Sequence, residues 1–258
     1  MTQIHPTAIV EKGAWLDEDV EVGPYSIVGP HVKVGKGTWV GPHVVLRGRT
    51  EIGSGNKFFQ FASVGEIPQD LKYKGEPTSL KIGNDNVFRE GATVHIGTPG
   101  GRGITTIGHR NLFMACSHVA HDCEIESSVV LANSVALAGH VSIADHAILG
   151  GLCGIHQFVR IGESALIGAG SMVAMDIPPF MIAQGDRASL RGVNVIGLER
   201  RGFDSPSIEK IQKAYKLIFR SRLRLEEALK RVTEEVGDSQ PVTFLVDFIR
   251  QSERGICR

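Results

Sequence analysis

Aliphatic or phenylalanine side chains return every six residues along most of this chain. The series runs through positions 4, 10, 16, 22, 28, 34, 40, 46, 52, 58 and 64, and resumes at 82, 88 and 94. After a change of phase it continues in the same step from 107 to 173. Blocks such as VGPYSI (22–27), VGPHVK (28–33) and IGESAL (161–166) display the unit. An aliphatic residue is often followed by Gly, then two free positions, then a small or β-branched residue. A six-residue period matches neither an amphipathic helix nor a plain extended strand. It fits a repeating coil of three short strands, each followed by a tight corner. The aliphatic side chain then points into a narrow prism, and the small residue two positions before the next one also fits inside. Glycine at the corners is expected to provide conformations that a Cβ obstructs.

This pattern resembles the left-handed parallel β-helix of the hexapeptide-repeat acyltransferases. The hand comes from the resemblance, since the general crossover rule favours right. The expected fold is a β-solenoid over residues 1–183, a linker over 184–203 and an α-helical domain over 204–258. Two interruptions, at about 65–81 (GEIPQDLKYKGEPTSLK) and 97–106 (GTPGGRGITT), read as loop excursions. Ser205-Pro206 starts a helix with Pro at its first position. Ile208, Ile211, Tyr215 and Ile218 follow helical spacing. LRLEEALKRV (223–232) and PVTFLVDFIRQ (241–251) provide two further helices.

The repeat accounts for the composition. Glycine numbers 31 in 258 residues, well above the usual ~7%. No G-x-y period is present, so collagen is excluded, and 42% apolar content argues against disorder. Lys+Arg and Asp+Glu are 28 each, which argues against nucleic-acid binding driven by overall positive charge. The balance is uneven along the chain: residues 200–258 hold 13 basic and 9 acidic side chains. The N-terminus lacks the pattern of a secretion signal, and no apolar run reaches the ~18–20 residues of a membrane span. Cys116, Cys123, Cys153 and Cys257 form no C-x-x-C pair. Reduced thiols and a cytoplasmic location are expected.

Seven of the ten histidines lie between 95 and 156: His95, His109, His118, His121, His140, His146 and His156. Any one of them at an outward position needs no function. Stacking gives some of them more meaning, because residues 18 apart lie about one strand spacing, ~4.8 Å, above one another. His121 then lies under Gly139 and Asp122 under His140. A base beside an exposed glycine N–H, with a carboxylate nearby, is equipped for acyl transfer. An acceptor hydroxyl can attack the acyl group directly, without a Ser or Cys nucleophile. His118, His121 and Asp122 also leave a metal site open.

HVAHDC (118–123), LAGHV (137–141), IHQF (155–158), QDLKYKGEP (69–77) and RRGF (200–203) carry a closer likeness. With AYKLIFR (214–220) and SERGICR (252–258), the chain resembles the bacterial UDP-N-acetylglucosamine O-acyltransferases that begin lipid A synthesis. The resemblance implies a homotrimer with active sites between neighbouring prisms. It implies transfer of a 3-hydroxyacyl chain from acyl carrier protein to the 3-position of the UDP-sugar, with no cofactor and no metal. His121 would be the general base supported by Asp122, and the Gly139 N–H would polarise the thioester carbonyl. Asp70, Lys72, His118 and His140 would hold the sugar and its phosphates, with Gln69 near the acyl 3-hydroxyl. His156 and Gln157 would lie along the nucleotide cleft. Asn194, Arg200 and Arg201 would hold the nucleotide and diphosphate. Ala169 would limit acyl length, its small side chain admitting fairly long chains.

Three departures bear on the acceptor: Ile96 where Arg is expected, Asp186-Arg187 where Asn-His is expected, and Ile196 where Glu is expected near the ribose. They raise the alternative of a 3-amino acceptor, which would give an amide. Arg220, Arg222 and Arg224 make a basic surface suited to an acidic carrier protein. A trimeric β-helix metal hydratase and a catalytically idle carrier-binding scaffold are the competing classes.

Overall fold

Each six-residue unit folds as a short strand followed by a corner. In the computed structural model, which describes residues 1–258, Gln3–Ile4 pairs in parallel with Glu21–Val22. Ile9–Val10 pairs likewise with Ile27–Val28, and Trp15 with Lys33, all one 18-residue coil apart. Repetition builds three sheets of 11, 9 and 8 strands that enclose one prism. Every ladder is parallel except the closing pair, Met181–Gln184 against Ser189–Val193.

The hexad residues line the prism. Val28, Val40, Leu46, Val64, Val94 and Val119 have no exposed surface. Ile4, on the open first coil, is half exposed. The smaller inward positions are equally buried, as at Ser26, Thr38 and Thr50. Phe58, Phe88 and Phe113 stack on successive coils with ring centroids 4.8 and 4.6 Å apart and nearly parallel planes. Asn56, Asn86 and Asn111 form a buried polar ladder beside them, each side-chain carbonyl receiving the backbone N–H of the coil above.

Glycine does the expected job at corners such as Gly37, Gly55, Gly91 and Gly170, which adopt positive φ, and a second one besides. Sixteen non-glycine residues, among them His43, Asp122 and His140, adopt positive φ at the corners. Asn and Asp tolerate this conformation best, yet Tyr, Phe and Leu also occur here. The hexad glycines are required by close approach between coils. A Cβ on Gly35 would lie 2.6 Å from the Gly53 carbonyl carbon, and one on Gly83 would lie 2.4 Å from the Gly108 oxygen.

The excursions are shorter than the sequence reading. Ser63–Glu66, Ser79–Ile82 and Ile104–Ile107 are four-residue strands that keep the third or second sheet continuous. Lys57 pairs with Val87, 30 positions on, and Thr93 with His118, 25 positions on. The loops proper are therefore confined to about 67–78 and 96–103, because the flanking residues gain ladder hydrogen bonds. The segment expected as linker holds the second strand of the closing hairpin, Ser189–Val193, and helix α1 (Val195–Arg200).

Helix α2 (Ser205–Tyr215) carries Pro206 in its first turn, and the Asp204 carboxylate caps it by accepting from the Ser207 N–H at 3.0 Å. Its buried face is Ile208, Ile211, Ala214 and Tyr215. A π-helical turn, Lys216–Arg220, leads to α3 (Leu225–Val236) and α4 (Gln240–Arg250). The final segment then returns to the prism. Asp176 N–H donates to Gly255 O, Cys257 N–H to Asp176 O, and the Ser252 hydroxyl to the Asp176 carboxylate. No helix is long and apolar enough to cross a membrane.

Phe88 is held between two rings and fully buried, so Phe88→Ala should cost about 3–5 kcal/mol. Urea unfolding measures this, and a loss below about 1 kcal/mol would mean that the stack contributes little.

Candidate active site

Along the outer face of the second sheet, small residues make a groove. His118, Ala136, Gly154 and Met172 occupy one column at one-coil intervals. Ala136 and Gly154 leave its floor low, and Met172 closes it by folding its thioether over Gly154, where a Cβ would lie 2.8 Å from the sulfur. The resulting cleft of about 660 Å³ is lined by Gln69, His118, His121, Gly139 and His156, with Asp186 and Arg187 at its far end.

His121 sits on a corner whose coil-to-coil register places its ring against Gly139. A Cβ on Gly139 would be 2.5 Å from His121 Cε1, so only glycine fits. Gly139 is buried, not exposed as the sequence reading had it, because the imidazole covers it. Its N–H nonetheless donates to no protein acceptor and it lines the cleft. His121 Nδ1 lies 2.8 Å from Asp122 Oδ2. The carboxylate can only accept when ionised, so Nδ1 carries the proton and Nε2 presents its lone pair.

Asp122 is 1% exposed. Burial raises its pKa, but this is outweighed by hydrogen bonds from the Thr98 hydroxyl, His121 and the Thr98 N–H, with His140 adding attraction; the net shift is downward. The Thr98 hydroxyl donates at 2.6 Å and its N–H at 3.0 Å to Oδ2, while Gly103 N–H donates at 3.0 Å to Oδ1. Asp122's own N–H donates to Thr105 Oγ1 at 2.8 Å. The second excursion thus encloses the carboxylate. Gly101 lies directly over it, since a Cβ there would be 2.5 Å from both Asp122 Cγ and His140 Cε1. Sequence reasoning missed Thr98, Gly101 and Gly103, although Thr105, one residue short of a coil before Asp122, placed the loop within reach.

His140 Nε2 is 3.9 Å from Asp122 Oδ2, and its ring stacks on Phe158 at 4.4 Å. Burial lowers the His140 pKa, opposed by Asp122 and assisted by His121. His118 is lowered by burial and by His121, and its Nδ1 is 2.8 Å from Thr93 Oγ1. His121, Asp122 and His140 place one ligand-type atom each within 4.8 Å. That donor set does not fit a metal, because the Asp122 oxygens are already occupied by Thr98, Gly103 and His121.

Other residues expected at the site fall into two groups. Asp70 is half-buried in the first excursion and close enough to act on His140, while Lys72 is exposed. Gln157 is exposed beside His156. His156 Nδ1 is 2.7 Å from an Arg254 guanidinium nitrogen on the returning C-terminal segment, a contact that no motif announced. Asn194, Arg200, Arg201 and Ala169 do not line this cleft. Asn194 caps α1 and donates to Ser164 O. Arg201 pairs with Glu163 at 2.6 Å. Arg200 and Ala169 are exposed. Of the departures, Ile96 is buried in the core and Ile196 is exposed on α1.

Residues 176–257 match the family described as Udp N-acetylglucosamine O-acyltransferase, domain 2. The chain is 54% identical over its whole length, and all of the relative's, to the acyl-[acyl-carrier-protein]–UDP-N-acetylglucosamine O-acyltransferase of Myxococcus xanthus (strain DK1622). The chain belongs to the UDP-N-acetylglucosamine O-acyltransferase family. The relative of the same name from Paraburkholderia phymatum is 50% identical, again over all of both chains. The crystal structure of UDP-N-acetylglucosamine O-acyltransferase from Moraxella catarrhalis superposes with a TM-score of 0.96 at 44% identity, covering 99% of each chain. Family membership makes the chain an acyltransferase, and the idle-scaffold reading falls.

His95 lies beside His118, 5% exposed, with its Nδ1 unpartnered. Burial, then the charges of His118 and His121, lower its pKa to about 4. The unfolded imidazole titrates near its ordinary ~6.5 and so binds more protons between those values. Stability is therefore full above pH ~6.5 and falls as pH drops toward 4, by an amount on the order of 3 kcal/mol. His95→Leu should flatten that part of the urea-unfolding profile; an unchanged slope would place its source elsewhere.

Proposed function

We propose that this cleft moves a 3-hydroxyacyl chain from an acyl carrier protein thioester to the 3-hydroxyl of UDP-N-acetylglucosamine, the step that opens lipid A synthesis. The observation that carries the reading is the His121–Asp122 pair, which leaves a basic Nε2 in the cleft beside the free Gly139 N–H.

His121 Nε2 takes the proton of the sugar hydroxyl as its oxygen attacks the thioester carbonyl. The C=O π pair moves onto oxygen, where the Gly139 N–H donates to the developing oxyanion. Asp122 keeps the imidazole in its productive tautomer and stabilises the imidazolium. When the tetrahedral intermediate collapses, the C–S bond breaks and the thiolate recovers the proton from Nε2. Direct transfer accords with the neighbouring thiol: burial pushes Cys123 up to about 12, and its sulfur donates to Ala138 O. No activated cysteine is at hand.

In a homotrimer, the exposed Arg200, Arg201 and Ala169, outside their own cleft, reach the cleft of a neighbouring copy, and buried Asn194 shapes that contact by capping α1. Their Arg side chains then meet the diphosphate. Arg222 and Arg224, exposed at the start of α3, with exposed Arg220 bonded to Tyr215, face the acidic carrier protein. The same transfer to a 3-amino sugar would form an amide, and parallel assays of both acceptors separate the two.

His121→Ala should lower transfer by at least about 100-fold while leaving the fold intact by circular dichroism; near-normal turnover would sink the assignment. Ala169→Met should shift preference toward shorter acyl chains in competition between carrier thioesters of graded length. An unchanged profile would count against Ala169 as the limit.

A further inference from the structure

The second excursion contributes no residue to the cleft lining, yet it places three hydrogen bonds and a glycine on Asp122. Its role is directed at the carboxylate. Thr98 is 4% exposed and makes the most of these contacts, through both its hydroxyl and its N–H. The loop is itself held by Thr98, whose carbonyl accepts from Gly101 N–H and Gly103 N–H at 3.1 Å each. Thr98 Oγ1 and His121 Nδ1 share one acceptor, Asp122 Oδ2, at 2.6 and 2.8 Å.

We infer that Thr98 is a positioning residue for the His121–Asp122 pair. Its hydroxyl fixes where Oδ2 points and takes up part of the negative charge that would otherwise act on His121. This rests on His121 as the base, and it adds a sign. Removing the hydroxyl leaves Oδ2 richer in charge, so the imidazolium of His121 is stabilised and its titration moves up. The other groups facing His121 are His118 on its own coil and His95 and His140 on the neighbouring coils, and Asp70 on the first excursion acts through His140. Arg102, on the same loop as Thr98, is paired with Glu124. None of them changes in a Thr98 variant.

Thr98→Val keeps the shape and the backbone N–H but removes the hydroxyl donor. In protein carrying ¹⁵N-labelled histidine, its His121 midpoint should rise by about half a pH unit or more. The acid limb of kcat/KM should move the same way, so the loss is greatest at low pH. KM for the UDP-sugar should stay within about two-fold, and Thr98→Ser should restore both midpoint and limb. A His121 midpoint unmoved in Thr98→Val, or a Thr98→Ser as impaired as Thr98→Val, would overturn the proposal. Thr98→Ala offers the same deletion if the valine variant does not fold, and failure of both to fold would assign Thr98 to the fold alone. The NMR midpoint is read without turnover. A moved midpoint with unaffected transfer in His121→Ala would therefore sink the base assignment and leave the Thr98–Asp122 coupling standing.

Discussion

Everything in this molecule depends on one spacing, the distance between parallel strands of successive coils. At about 4.8 Å per coil, the side chain of one coil rests directly on its equivalent in the next. The same rule stacks Phe58, Phe88 and Phe113 in the core and sets the His121 ring on Gly139 at the surface. It also governs insertions. The two excursions lengthen the coil to 30 and 25 residues, yet Phe58, Phe88 and Phe113 remain in one column. A loop is tolerated only where it leaves and rejoins the same corner.

That corner is where the chemistry lies. A buried carboxylate is costly unless its oxygens are satisfied, and a bare β-helix corner offers few donors. Asp122 is served by Thr98, Gly103 and His121, while its N–H is taken by Thr105. The ionised carboxylate and the oriented imidazole are therefore two outcomes of one loop conformation. The floor of the cleft between these groups is apolar, built by Ala136 and Gly154, which suits an acyl chain.

Much of this is legible in the residues. The inward hexads are predictable because each coil repeats the same burial problem, and 18-residue stacking locates His121 under Gly139 before any coordinates. What the repeat hides is whatever departs from it. Thr98 and Gly101 lie in a loop whose path no period specifies. Gly139's burial follows from the His121 ring packed against it, a side-chain orientation that spacing does not encode. Glycine's second role is hidden for a related reason: the six-residue pattern marks which positions are glycine, but not whether φ, as at Gly37, or a neighbouring coil, as at Gly35, demands it. Asn194 and Arg201 look like ligand contacts in the motif. Within the chain they cap a helix and pair with Glu163.

The C-terminal segment bears on a hazard common to open sheets. A solenoid ends in unsatisfied edge N–H and C=O groups that invite another solenoid to dock and extend into a fibre. Here the antiparallel hairpin closes the first sheet, and Leu190 N–H already donates to Arg258 O. Asp176, on the last coil, is taken by Gly255, Cys257 and Ser252. The tail thus occupies backbone groups at that end that would otherwise stay open. The opposite end presents one two-residue edge strand per sheet, Gln3–Ile4, Ile9–Val10 and Trp15–Leu16, each a short template.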